Sequence, residues 1–194
     1  MKAGVARRAV AHARDCGDQC AYWTAGPRTT LCIADGLGHG ELAADASAAA
    51  IRYVGDHLTR PLGEIFAGCD GAISSTRGVA MAVVEVDAAE SRLTYAAVGN
   101  TRGQIFGRRK SLLRSDYGIV GGGFRRLNAE TLPFAPGDLL VLWTDGIPEF
   151  IDIMRYGPDV RSDPQLLADR VITDYAIATD DAAVLAFRDG APVR

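Results

Sequence analysis

The run Leu31-Cys-Ile-Ala-Asp-Gly-Leu-Gly-His-Gly40 constrains this chain most, because an uncharged apolar segment ends on a carboxylate inside a glycine-rich turn. Residues 29–34 read as a buried β-strand, and Asp35 falls at its carboxyl end, where the chain must leave the sheet. Gly36, Gly38 and Gly40 give a backbone free to take positive φ and to approach a ligand or metal closely. Beyond Glu41 the apolar residues Leu42, Ala43, Ala46, Ala49, Ala50, Tyr53 and Val54 recur at helical spacing, so the turn opens a helix over 41–57. The unit is strand, carboxylate, glycine turn, helix.

A chain of 194 residues that is 48% hydrophobic and 23% charged can bury one full core, so a single domain over 1–194 is expected. The formal net charge of −3 lacks the clustered basic face that nucleic-acid binding needs. Arg7 with Arg8, residues 108–110, and Arg125 with Arg126 read as solvated loops or strand edges. No apolar run approaches the roughly 20 residues of a spanning helix, and no signal-peptide core is visible, so a soluble cytoplasmic protein is expected. Cys16, Cys20, Cys32 and Cys69 form no CxxC pair and are expected as reduced thiols. A zinc site of His12, Cys16 and Cys20 can be drawn, but its spacing matches no standard zinc ligand set.

Residues 5–11 alternate weakly and read as a first strand, and 19–23 read as a hairpin arm paired with 29–34 around Gly26-Pro27. Antiparallel pairing there makes neighbours of Asp18 and Asp35. Pro61 is placed to start a second helix through Leu62, Ile65, Phe66 and Cys69. Short β-rich runs follow at 78–87, 92–98, 103–106, 111–114 and 125–131. Residues 139–143 form a fully apolar strand that ends in Thr144-Asp-Gly146. Helical segments are expected from Ile147 and over 164–175, with a last strand over 182–187 directly after Asp180-Asp181. This order has no βαβα alternation and argues for an α+β layer arrangement with largely antiparallel sheet and outer helices.

Asp35 and Asp145 each stand immediately after an apolar strand and immediately before glycine, and Asp180 stands just before the last strand. A lone Asp-Gly is usually a turn, but here each carboxylate interrupts an apolar segment rather than a polar loop. Carboxylates brought together repel by about 4 kcal/mol per pair at ~4 Å in an effective dielectric near 20, so a cluster needs metal or protons. All-oxygen ligands suit Mg²⁺ or Mn²⁺, and the Gly36 carbonyl can complete such a sphere. Two such ions would hydrolyse a phosphate ester without a protein nucleophile. The competing reading, a nucleotide-phosphate turn at 36–40, fails on spacing and on the negative charge of Asp35 with no lysine following.

Cys16-Gly-Asp18, Ala34-Asp-Gly-Leu-Gly-His-Gly40, Arg77-Gly78, the run from Thr94 to Gly99-Asn100, Thr144-Asp-Gly146 and Asp180-Asp-Ala-Ala-Val-Leu185 together resemble the PP2C-type metal-dependent protein phosphatases. The resemblance covers nearly the whole chain and lies in the bacterial branch that includes SpoIIE and RsbX, nearest the stressosome phosphatases of the RsbX kind. It implies a four-layer α-β-β-α sandwich, two largely antiparallel sheets flanked by helices, with two Mn²⁺ or Mg²⁺ ions at one end. Asp35 would bridge both ions, Gly36 would ligate through its carbonyl, and Asp18, Asp145 and Asp180 would supply the other carboxylates. Asp181 is not assigned as a ligand. A bridging hydroxide would attack phosphorus of a phosphoserine or phosphothreonine, on a phosphorylated STAS-domain protein of a stressosome or partner-switching system.

Two departures from the family pattern stand out. Leu37 occupies the position where many members have histidine, and His39 comes two residues later, as a candidate acid or substrate contact or simply a residue that orients the turn. Ala183 stands where threonine is common, and no clear equivalent of a phosphate-gripping arginine is visible, Arg14 being offset from Asp18. With no sensor, transmembrane or kinase-like segment in the chain, specificity would come from the domain's own surface. The candidate surface comprises His39, the loop 116–124 with its Gly121-Gly-Gly123 run, and the segment 150–160. The rival class is a catalytically weak adaptor that keeps the fold and binds the same partners; the filled carboxylate positions favour the enzyme.

Overall fold

The apolar runs become strands covered on both faces, which is why they read as continuous hydrophobic stretches rather than alternating ones. In the computed structural model, residues 2–11, 13–107 and 110–190 are described. The principal strands are β1 (Lys2–Arg8), β2 (Asp18–Ala25), β3 (Arg28–Gly36), β4 (Val79–Asp87), β5 (Arg92–Val98), β6 (Arg102–Phe106) and β7 (Lys110–Leu113). A two-residue pair follows, β8 (Gly118–Ile119) and β9 (Gly123–Phe124), then β10 (Glu130–Pro133), β11 (Leu139–Trp143) and β12 (Ala182–Arg188). Helices α1 (Glu41–Asp56) and α2 (Leu62–Ala72) separate β3 from β4, and α3 (Pro158–Ser162) and α4 (Pro164–Tyr175) separate β11 from β12.

One sheet runs β10-β5-β4-β3-β2 and the other β1-β12-β11-β6-β7, each antiparallel throughout. Side-chain alternation then decides the layers. Leu31, Ile33, Val84 and Tyr95 of the first sheet meet Leu140, Leu142, Leu185 and Phe187 of the second in a central core. The opposite set, Cys32, Ala34, Met81 and Val83, packs under Ala46, Ala50, Val54, Ile65 and Phe66 of α1 and α2. On the far side Val141, Trp143, Val184 and Ala186 pack under Leu167, Ala168 and Val171 of α4. Leu167 and Val171 are fully buried, each stabilising by roughly 1.5–3 kcal/mol. The result is the expected four-layer α-β-β-α sandwich. No helix among the described residues is long and apolar enough to cross a membrane.

Three expectations shift. The first strand is Lys2–Arg8 rather than 5–11, because its register against β12 ends at Arg8 opposite Ala182, where β12 begins. The alternating run 125–131 forms a strand only over Glu130–Pro133, because beyond Tyr95 the edge of β5 is taken by Asp116, which donates to the Ala97 carbonyl and accepts from the Gly99 N–H. No helix starts at Ile147. Pro148 disfavours helical geometry at the residue before it, and the Pro148 carbonyl instead accepts from Trp143 Nε1 at 3.1 Å. Helical structure resumes as a 3₁₀ turn over Ile153–Arg155 and as α3 with proline in its first turn. Asp163 then caps α4, its side chain accepting from the backbone N–H of Gln165 and Leu166.

Candidate metal centre

Strand ends bring the acidic residues together. The β2–β3 hairpin turns through Gly26, whose φ is 59°, and its register sets Asp18 directly opposite Asp35. In the other sheet Trp143 of β11 pairs with Val184 of the antiparallel β12. Asp145 therefore leaves β11 at the same end at which Asp180 and Asp181 enter β12.

Burial and mutual repulsion govern this cluster. Asp35 is pushed up to about 9, first by burial, then by the charges of Asp18 and Asp145, a hydrogen bond with Asp145, and the charge of Asp180. Asp18, 2% exposed, is pushed up to about 7 by burial, with the charges of Asp181, Asp145 and Asp180 adding to it and a Thr144 hydrogen bond opposing. Asp180 is raised chiefly by burial and by the charge of Asp145, with the Asp181 backbone hydrogen bond and the charge of His39 acting in the opposite direction. Asp18 Oδ2 is buried with no hydrogen-bond partner. Such an oxygen costs about 1–3 kcal/mol unless a cation or proton meets it. The donors at these strand ends are carboxylates and a backbone carbonyl, an all-oxygen set that suits Mg²⁺ or Mn²⁺ rather than zinc.

The neighbours have distinct tasks. Both oxygens of Asp181 are taken by backbone N–H groups, Oδ1 by Val10 at 2.8 Å and Oδ2 by Gly17 at 2.9 Å, so this residue ties the segment before β2 to the start of β12. Asp180 Oδ1 accepts from the Asp181 N–H at 2.9 Å. Asn100, unassigned in the sequence reading although it follows Gly99 in a quoted motif, donates from Nδ2 to Asp145 Oδ2 at 2.6 Å. Arg77 was also unassigned, and its Nη1 reaches the Leu37 carbonyl at 3.5 Å, setting a cation against the turn that follows Asp35. Arg14 lines a separate groove with Arg7, Asp15, Cys16 and Gln19. Only long-range pairing shows these roles.

The glycines divide by cause. Gly38 and Gly40 take positive φ of 84° and 75°, as expected for the turn. Gly36 does not; a Cβ there would lie 2.1 Å from the Ala43 carbonyl oxygen of α1. At Gly146 a Cβ would lie 1.9 Å from the Asp181 carbonyl oxygen. Close backbone approach, not left-handed geometry, requires glycine at both. Gly146→Ala should therefore lower the melting temperature by roughly 2–12 °C, from about 1–3 kcal/mol of overpacking. Differential scanning calorimetry checks this, and an unchanged melting temperature would contradict the packing argument.

The drawn zinc site fares differently. His12 lies outside the described residues. The thiols of Cys16 and Cys20 are free and are pushed up to about 11 and about 12, chiefly by burial, which disfavours the thiolate a metal would need.

Two antiparallel sheets with helices on their outer faces are the fold of the PP2C phosphatases. The chain belongs to the SpoIIE family, since the family model for Stage II sporulation protein E matches residues 25–188. It is 28% identical over 154 residues to the phosphoserine phosphatase RsbX of Bacillus subtilis strain 168, covering 75% of each protein. A solved structure described under the bacterial stressosome, a modular system adapted to control secondary messenger signaling, superposes with a TM-score of 0.89 at 27% identity, covering 95% of this chain and 97% of that one. The crystal structure of RsbX in complex with magnesium superposes with a TM-score of 0.78 at 21% identity, covering 94% and 92% of the two chains.

Proposed function

We propose that this protein is a single-domain, cytoplasmic, divalent-metal-dependent phosphatase that removes phosphate from phosphoserine or phosphothreonine on STAS-domain proteins of a stressosome or partner-switching system. The observation that carries the metal-dependent reading is the orphaned, buried Oδ2 of Asp18 directly across the hairpin from Asp35, whose carboxyl is itself pushed up by burial and then by three neighbouring carboxylates. Either protons or cations must neutralise that arrangement. The all-oxygen donor set fits Mn²⁺ or Mg²⁺, and Asp18, Asp35, Asp145, Asp180 and the Gly36 carbonyl would hold two ions. When bound, the ions supply charge at the phosphoryl oxygens and acidify water for attack.

This chain's residues prepare the site in advance. Asn100 fixes one oxygen of Asp145, the carboxylate that also shares a hydrogen bond with Asp35. Asp181 holds the backbone that positions Asp18 and Asp180 and spends both its oxygens doing so. His39, exposed in the turn after Asp35, is the candidate to hand a proton to the departing serine or threonine oxygen or to contact the substrate. The substrate assignment draws on the kinship with RsbX and on the stressosome-linked structural relative.

The test is to assay p-nitrophenyl phosphate, a panel of phosphorylated STAS-domain proteins and unrelated phosphopeptides, each with Mn²⁺ and with chelator. The expected result is metal-dependent turnover of all, with the highest kcat/KM on a STAS-domain protein. Equal kcat/KM across the panel would remove the STAS assignment and leave the chemistry standing. Absence of metal-dependent turnover throughout would leave the weak-adaptor reading instead.

A further inference from the structure

A groove of about 560 Å³ runs beside the edge strand β7, and Arg102, Lys110, Leu112, Arg114, Glu149 and Phe150 line it. It begins next to the carboxylate end. Arg102, two residues from Asn100, is the register partner of Trp143, which is two residues from Asp145, and each step is about 7 Å along a strand. Arg102 also donates from Nη1 to the Ile147 carbonyl at 2.8 Å and so braces the segment that follows Asp145.

The groove combines apolar and basic side chains. Leu112 is 61% exposed and Phe150 76% exposed, large apolar side chains presented to solvent in the same lining as the basic groups. Among the described residues Arg102, Lys110 and Arg114 make no ion pair with a carboxylate. Three cations against the single Glu149 give a local positive face on a chain whose net charge is −3. That net charge opposes a polyanion such as nucleic acid, and the apolar pair asks for a protein partner.

We propose that this groove docks the phosphorylated protein substrate, through a face of that substrate that presents carboxylates beside apolar side chains. The proposal rests on the phosphoprotein phosphatase reading above. Charge complementarity sets the partner's sign, and the groove's start beside Asn100 and Asp145 makes it continuous with the catalytic end. A small phosphate ester occupies only that end and does not reach Leu112 or Arg114. Docking therefore separates protein substrates from small ones.

The experiment compares the wild-type protein with Arg114→Glu and Leu112→Asp, both changes at exposed side chains on or just after β7. Each is assayed with Mn²⁺ on p-nitrophenyl phosphate and on a phosphorylated STAS-domain protein, and each is sedimented to determine its mass. The expected result is a fall of about tenfold or more in kcat/KM on the protein substrate, carried by KM, with the small-substrate value unchanged. The wild-type KM for the protein should also rise with salt, and Arg114→Glu should flatten that dependence. Equal losses on both substrates, or no loss on the protein, overturns the docking assignment. A wild-type dimer that either variant dissolves overturns it too, since the occupant would then be a second copy of this chain. Failure of the wild type to turn over either substrate instead removes the phosphatase reading itself.

Discussion

Asp35→Asn and Asp145→Asn should each reduce metal-dependent turnover of p-nitrophenyl phosphate by at least roughly 10²–10³-fold, the scale seen when one preorganised electrostatic group is lost from a reacting site. Both residues sit at the closing end of an apolar strand, one in each sheet, and Asp35 shares a hydrogen bond with Asp145. On the proposed metal site, removing either charge would take away a ligand, and neither substitution changes side-chain volume appreciably. In metal-free buffer Asp35→Asn should melt higher than wild type by roughly 2–12 °C, because about 1–3 kcal/mol of unfavourable burial and repulsion is relieved. Lost activity with raised metal-free stability is the signature of a functional carboxylate. Lost activity with lowered stability would make Asp35 a structural residue, and near-normal activity would remove it from the site.

The metal-free protein should also lose stability as pH rises, a result opposite to that for carboxylates held in salt bridges. Free aspartate titrates near 3.9, whereas Asp18 and Asp35 are pushed up to about 7 and about 9 in the folded chain. Between about pH 4 and about pH 9 the native state therefore holds more protons than the unfolded state. Stability falls with pH wherever that is so. The contribution is fully present below about pH 4 and is lost as pH climbs through the folded values. Each fully differential proton contributes a slope of about 1.4 kcal/mol per pH unit.

Saturating Mg²⁺ or Mn²⁺ binds the charged form and should flatten or reverse this slope at neutral pH. Melting temperatures from pH 5 to 9, with chelator and with metal, read the effect directly. Asp35→Asn should remove much of the metal-free slope. A wild-type melting temperature that is flat or rising over pH 5–8 without metal would show that the cluster is not desolvated as described.

Much of the fold was legible because the strongest signals were local. The helix after Glu41 and the strands Arg92–Val98 and Leu139–Trp143 coincide with their sequence patterns, since apolar periodicity is written into consecutive residues. Boundaries that depend on a partner strand were not. β1 ends where β12 begins, and residues 125–129 find no partner although they alternate like a strand. The segment after Ile147 looked helical by composition, but Pro148 and its acceptance from Trp143 pull it into irregular backbone.

The acidic site divides in the same way. The sequence by itself determined which carboxylates end apolar strands: Asp35, Asp145 and Asp180 stand out because a charge at the edge of a buried run is costly unless something meets it. It also determined that Asp18 would lie beside Asp35, since a short hairpin leaves little freedom in register. Only the tertiary structure decided that Asp181 spends both oxygens on Val10 and Gly17, that Asn100 holds Asp145, and that Gly36 and Gly146 are glycines because another backbone passes within van der Waals reach. These facts join residues far apart in the chain. No local pattern encodes which N–H will face which carboxylate once two sheets have packed, because that depends on the relative placement of whole strands rather than on the residues beside either group.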